Sequence, residues 1–174
     1  MNRFNECLKF VLQREGGYVN HKNDRGGATN RGITQDTYDI WRVRNGMSRN
    51  PVLGISGEEV EFLYHSGYWR PVRADDLMAP LDLCLFDSAV QHGAGRAAKW
   101  LQRTVGVRQD GAIGPKTLTA LALLIERDGL PAVIGYVMEI RDGFYHEIVA
   151  DDPTQMVFLE GWMNRMDDLR EALE

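Results

Sequence analysis

The sequence predicts a mainly α-helical protein of about seven helices, with a small β-hairpin or folded loop after the first. Three observations carry that expectation. Apolar residues recur at helical spacing along most of the chain. The stretch after Tyr18, with Asn20, Asn23, Asp24, Gly26, Gly27, Thr29, Asn30 and Gly32, is too polar and glycine-rich for a core helix. Helix start signals stand where later periodic stretches begin, as in Ser56-Gly57-Glu58-Glu59 and Gly114-Pro115.

Phe4, Cys7, Leu8, Val11 and Leu12 place the first helix over about residues 3 to 15, with Glu15 in its last turn and Gly16 or Gly17 as a left-handed cap. Thr34 reads as the N-cap of a second helix carrying Tyr38, Ile40, Trp41 and Val43. Met47 to Leu53 reads as a connecting loop. The Ser56 capping box then opens a third helix with Val60, Leu63, Tyr64 and Gly67 on one side, and Tyr68-Trp69-Arg70-Pro71 ends it. From Pro80 to Val90 nearly every position is apolar, the pattern of a helix buried all round. Asp87 inside it must therefore be paired or hydrogen-bonded. Gly93 and Gly95 break that helix, Ala97, Ala98, Leu101 and Val105 build the next, and Asp110-Gly111 turns the chain toward a helix begun by Pro115. Two more follow, at about 131 to 149 and 157 to 172. Cys7 and Cys84 lie on apolar helical stretches and read as buried core residues, not as a disulfide framework.

Charge and hydropathy narrow the function classes. No run of about 18 apolar residues is present, so no membrane span is expected. Asn5, Glu6 and Lys9 interrupt the apolar positions from Phe4 to Leu12, which is not a secretory pattern, and the protein is expected to be made in the cytoplasm. The net charge of −5 hides an asymmetry: residues 1–50 carry nine Lys or Arg against five Asp or Glu, and the remainder eleven against twenty. Arg14, Lys22, Arg25, Arg31, Arg42, Arg44 and Arg49 surround the Glu15 motif in sequence, which reads either as a face that draws an anionic polymer or as an ordinary mixed, solvated surface. Peptidoglycan, with its lactyl and peptide carboxylates, fits that description. Nucleic acid fits less well, because the chain as a whole is acidic and carries no nucleic-acid motif. His21, His65, His92 and His146 stand far apart with no His-Glu-x-x-His spacing, so neither a metal site nor a cofactor is expected.

Glu15-Gly16-Gly17-Tyr18, Asp24, Gly26-Gly27, Thr29 and Gly32-Ile33-Thr34 together resemble the signature of glycoside hydrolase family 108. Its members are lysozyme-like muramidases, common as phage endolysins and sometimes labelled secretion activators. Phe86 to Val90, Gly93 to Gln102 and Asp110 to Thr117 resemble the peptidoglycan-binding half usually attached to them. The resemblance covers nearly the whole chain. It implies a lysozyme-like fold, a catalytic lobe over residues 1–79, a peptidoglycan-binding-like lobe over 80–174 packed with it as one compact unit, and Glu15 as the catalytic acid. The implied partner is the peptidoglycan glycan strand, which a cytoplasmic protein reaches in the periplasm through a holin or a secretion apparatus. A monomer is the default.

Cleaving a glycosidic bond requires a proton on the leaving oxygen and stabilisation of an oxocarbenium-like centre. A carboxyl at a helix C-terminus, where the helix dipole disfavours the ionised form, suits the first task, and Glu15 is expected there. Asp24 is the first candidate for a second carboxylate, with Asp36 and Asp39 behind it; an Asp before Gly-Gly also commonly caps its own turn. Tyr18, Thr29, Thr34, Tyr38, Trp41 and Trp69 are the substrate-binding candidates. Aromatic faces bind sugar rings but also fill cores, and the threonines double as turn and cap residues. Two rivals stay open: a lytic transglycosylase using Glu15 alone, and a noncatalytic wall-binding or secretion-activating protein.

Overall fold

The computed structural model describes residues 2–20 and 27–174. The chain forms two compact units, Met1–Gly67 and Tyr68–Glu174. Among the described residues there are eight α-helices and one two-stranded antiparallel hairpin, which bears out the mainly α expectation. No helix among them is long and apolar enough to cross a membrane.

In the first unit, α1 (Arg3–Leu12) starts at Asn2, whose side-chain oxygen accepts the Asn5 N–H at 2.9 Å. Phe4, Cys7, Leu8 and Val11 form its buried stripe, which packs with α3 (Gly57–Tyr64). The helix ends at Leu12, earlier than expected, and Glu15 lies beyond it. The backbone nevertheless keeps curling, because the Arg14 and Glu15 N–H groups both donate to the Val11 carbonyl, at 3.0 and 3.2 Å. Arg14 folds back to donate to the Phe10 carbonyl at 3.1 Å and lies over the Phe10 ring, which satisfies one of the open carbonyls at the helix end. Neither Gly16 nor Gly17 has a positive φ, so neither is the left-handed cap expected.

The hairpin pairs β1 (Thr29–Asn30) with β2 (Ile33–Thr34), in the register Thr29 to Thr34 and Asn30 to Ile33. Val19 bridges Thr29 on its other edge through two 2.8 Å hydrogen bonds. Thr34 then caps α2 (Gln35–Arg44), accepting the Thr37 N–H at 3.2 Å. Ser56 and Glu59 form the expected capping box of α3, and α3 runs directly into a π-helical turn, His65–Trp69.

In the second unit, α4 (Leu81–His92) packs with α5 (Ala94–Thr104) and α7 (Leu130–Asp151), and α7 also packs with α6 (Pro115–Asp128) and α8 (Met156–Ala172). Every residue of α4 from Leu81 to Ala89 is buried, as its mostly apolar run predicts, and Asp82, Asp87 and Ser88 are the polar residues buried with it. The Asp87 carboxylate is met by two charges: Arg141 of α7 and Arg165 of α8 each reach it at 2.7 Å. Burial alone would push the Asp87 carboxyl up, but the two guanidinium groups outweigh it and hold the carboxyl below the usual carboxylate range. The ion pair therefore ties three helices at one point. Between α5 and α6 the buried Gln102 collects the turn, donating to Asp110 at 2.7 Å and to the Ala112 carbonyl at 3.0 Å, and accepting the Gly111 N–H at 2.9 Å. Gly111 has a φ of +81°, and a methyl there would meet the Gly95 carbonyl oxygen at 3.2 Å. Both cysteines are buried as expected, and burial pushes the Cys84 thiol up to about 12, which makes it inert as a nucleophile.

Replacing Asp87 by Ala strands two guanidinium groups around a vacated core position. The expected loss is about 3–5 kcal/mol, read by denaturant unfolding. In the native protein the depressed Asp87 carboxyl contributes stability that is complete above the unfolded carboxylate value of about 4. That contribution is lost as pH falls through the lower folded value, so acid unfolding of Asp87→Ala should show a weaker pH dependence than the wild type.

Candidate active site

Glu15 is held by three pieces of the first unit. The first is the curl after α1, which fixes its backbone on the Val11 carbonyl. The second is the hairpin turn. Arg31 and Gly32 both have positive φ, 51° and 75°, the pattern of a two-residue type I′ turn, whose twist matches that of paired strands. A methyl carbon on Gly32 would lie 2.8 Å from Glu15 Oε2 and 3.3 Å from its Cδ, so only glycine lets the turn and the carboxyl share this space. The third is α3. The same methyl would lie 2.6 Å from the Tyr64 hydroxyl, and that hydroxyl donates to the Arg31 carbonyl at 2.8 Å.

The hairpin is itself strapped from outside. Asn30 donates to the Val52 carbonyl at 3.0 Å, and Gln35 donates to the Asn50 carbonyl at 2.9 Å while accepting the Val52 N–H at 2.7 Å. The Gln35 N–H closes the base of the hairpin on the Ala28 carbonyl at 2.8 Å. The stretch around Asn50-Pro51, which reads as a mere connection in sequence, thus supports the turn against which Glu15 rests.

The Glu15 side is half-buried, while Gly16, Gly17 and Tyr18 are exposed. Among the described residues, methyl groups on Gly16 and Gly17 would meet nothing within 4 Å. Tyr18, 42% exposed, leads directly into the Val19 bridge.

The remaining site candidates separate. Thr29 sits between its two strand partners, Val19 and Thr34. The Thr34 oxygen is occupied as the α2 cap and also donates to the Thr37 hydroxyl at 2.9 Å. Tyr38 is fully buried, which corrects the expectation that its ring meets sugar. Its hydroxyl donates to Glu59 at 2.7 Å and accepts from Arg42 at 2.9 Å, and Arg42 reaches Glu59 at 2.7 Å. Burial pushes the Glu59 carboxyl up, but hydrogen bonds from Ser56 and Tyr38 and the charge of Arg42 more than offset it and hold the carboxyl below its usual range. Trp41 is half-buried, stacked on Tyr38 at 6.0 Å and tilted against Phe62 at 5.6 Å. Its buried Nε1 has no hydrogen-bond partner among the described residues. Trp69 takes a packing role: it is buried in the second unit, donates to Asp75 at 2.8 Å and meets the Phe86 ring edge-on. Asp39 accepts from Gln35 at 3.0 Å and Asp36 is exposed on α2. Asp24 lies outside the described residues. The groups that sequence reasoning missed are Gly32 and Tyr64 as neighbours of Glu15.

The glycosyl hydrolase 108 family matches residues 8–93, which contain this site, and a family described as a predicted peptidoglycan domain matches residues 96–167. The chain is also similar to a solved structure described as that of Brucella abortus SagA. The two are 34% identical with a TM-score of 0.80, over 98% of this chain and 92% of that one. No curated protein matches it. The chain belongs to the glycosyl hydrolase 108 family. The two family matches together support a glycoside hydrolase acting on peptidoglycan.

Tyr38→Phe removes only the hydroxyl that joins Glu59 to Arg42. It should cost about 1.5–3 kcal/mol, seen as a lowered thermal midpoint, and leave KM for peptidoglycan unchanged. A raised KM at unchanged stability would return Tyr38 to the substrate.

Proposed function

We propose that the chain is an N-acetylmuramidase, a lysozyme, that cleaves the β-1,4 bond between N-acetylmuramic acid and N-acetylglucosamine with Glu15 as general acid. The observation that carries this reading is the Glu15 carboxyl itself, half-buried and fixed against Gly32, with the exposed Gly16 and Gly17 next to it in the chain. A general acid has to be held at the leaving oxygen while its proton moves, and a carboxyl braced by a helix end and a tight turn meets that need. Asp24 is the proposed second carboxylate, acting on water or as a nucleophile. Tyr18, just before the Val19 bridge, and Thr29, in β1 of the same hairpin, are proposed to meet the glycan. Residues 80–174 are proposed to hold the wall polymer, and release through a holin or a secretion apparatus would make the protein an endolysin.

The test is mass spectrometry of fragments released from purified peptidoglycan by the wild type and by Glu15→Gln, both with a chelator present. The reading expects reducing muramic ends from the wild type and a loss of about 10²-fold or more in the variant. Anhydro ends would assign a transglycosylase instead. Wall binding with no fragments from the wild type would leave only the noncatalytic reading.

A further inference from the structure

We propose that Tyr64 is a positioning residue for the Glu15 carboxyl, acting through the left-handed Arg31–Gly32 turn. The inference rests on the reading of Glu15 as the acid and adds to it the group that keeps the carboxyl in place. Arg31 is not glycine, yet it holds a φ of 51°, a conformation that side chains rarely adopt and that relaxes unless something secures it. The Tyr64 hydroxyl secures it by donating to the Arg31 carbonyl at 2.8 Å. Tyr64 is 1% exposed at the end of α3, so its ring is fixed by the core and the hydroxyl is presented from a rigid base.

Gly32 shows how closely the three groups are fitted. A single methyl there would collide with the Tyr64 hydroxyl at 2.6 Å and with Glu15 Oε2 at 2.8 Å. Both oxygens thus face one point on the turn. If the turn relaxes, the surface on which the Glu15 carboxyl rests moves with it. Because Tyr64 binds the turn and not the glycan, its loss should appear in the chemical step and not in substrate capture.

Tyr64→Phe keeps the buried ring and deletes only the hydroxyl. With purified peptidoglycan as the probe, kcat for release of reducing ends should fall about tenfold or more, with KM within about twofold of the wild type. Arg31→Gly placed in that background should restore part of the lost kcat, because glycine holds the left-handed turn without help. A wild-type kcat for Tyr64→Phe, or a loss confined to KM, overturns the inference. If Tyr64→Phe shows no cooperative unfolding transition, Arg31→Val, which disfavours the left-handed turn without placing an atom against Glu15, decides the matter: a folded Arg31→Val with wild-type kcat overturns the inference, and a kcat loss at unchanged KM supports it. Glu15→Gln assayed in parallel separates the two levels. An active Glu15→Gln overturns the acid assignment and this inference with it, whereas an inactive Glu15→Gln beside a fully active Tyr64→Phe overturns the inference alone.

Discussion

There is no room for a methyl group at position 32, and much of the first unit follows from that. The Arg31–Gly32 turn, the Glu15 carboxyl and the Tyr64 hydroxyl all converge on the face of one glycine. The hairpin must be short and left-handed at its tip to bring Gly32 there. The α1 backbone must stop being a helix at Leu12 yet keep curling, so that Glu15 swings to the turn and does not continue along the helix axis. The loop through Asn50 and Val52 must grip the hairpin, because two-residue strands cannot hold themselves in place. A carboxyl braced from three directions loses little freedom when it reacts, which is what pre-organisation means for a general acid.

The second unit is organised around a different constraint, a charge in a core. Asp87 sits in a buried, mostly apolar stretch of α4, and Arg141 and Arg165 come from two other helices to meet it. Such a triad contributes less net stability than its short distances suggest, since three ions had to leave water. What it does is join α4, α7 and α8 at one point, since each helix contributes one of the three charges. Nearby, His92 shares a hydrogen bond with Tyr145 at 2.8 Å, and burial together with the Arg141 charge depresses it to about 3, so it is a neutral packing residue at any pH of interest.

Much of this architecture is legible in the residues. The Thr34 cap, the Ser56 box, Pro115 at a helix start and the buried α4 all follow from local chemistry, because each depends on neighbours within a turn or two. What sequence does not reveal is long-range. Nothing local says that Asp87 pairs with Arg141 and Arg165, or that Tyr64 closes on Arg31, which is 33 positions away. The first-helix boundary goes astray for a related reason. Apolar periodicity runs out at Leu12, and the helix-end roles that the sequence suggests for Glu15 and the glycines fall instead to the curl on the Val11 carbonyl. Tyr38 and Trp69 illustrate the ambiguity of aromatic residues: a ring suited to a sugar is equally suited to a core, and only burial distinguishes the two.

The central claim is that Glu15 meets the scissile glycosidic oxygen. It is tested most directly by a crystal structure of Glu15→Gln, which preserves shape while removing the proton donor, soaked with a peptidoglycan tetrasaccharide. The account predicts the glycosidic oxygen at about 2.6–3.2 Å from the side-chain amide at position 15, with the hairpin turn undisturbed. A saccharide chain seated with that side chain out of hydrogen-bond reach would contradict it.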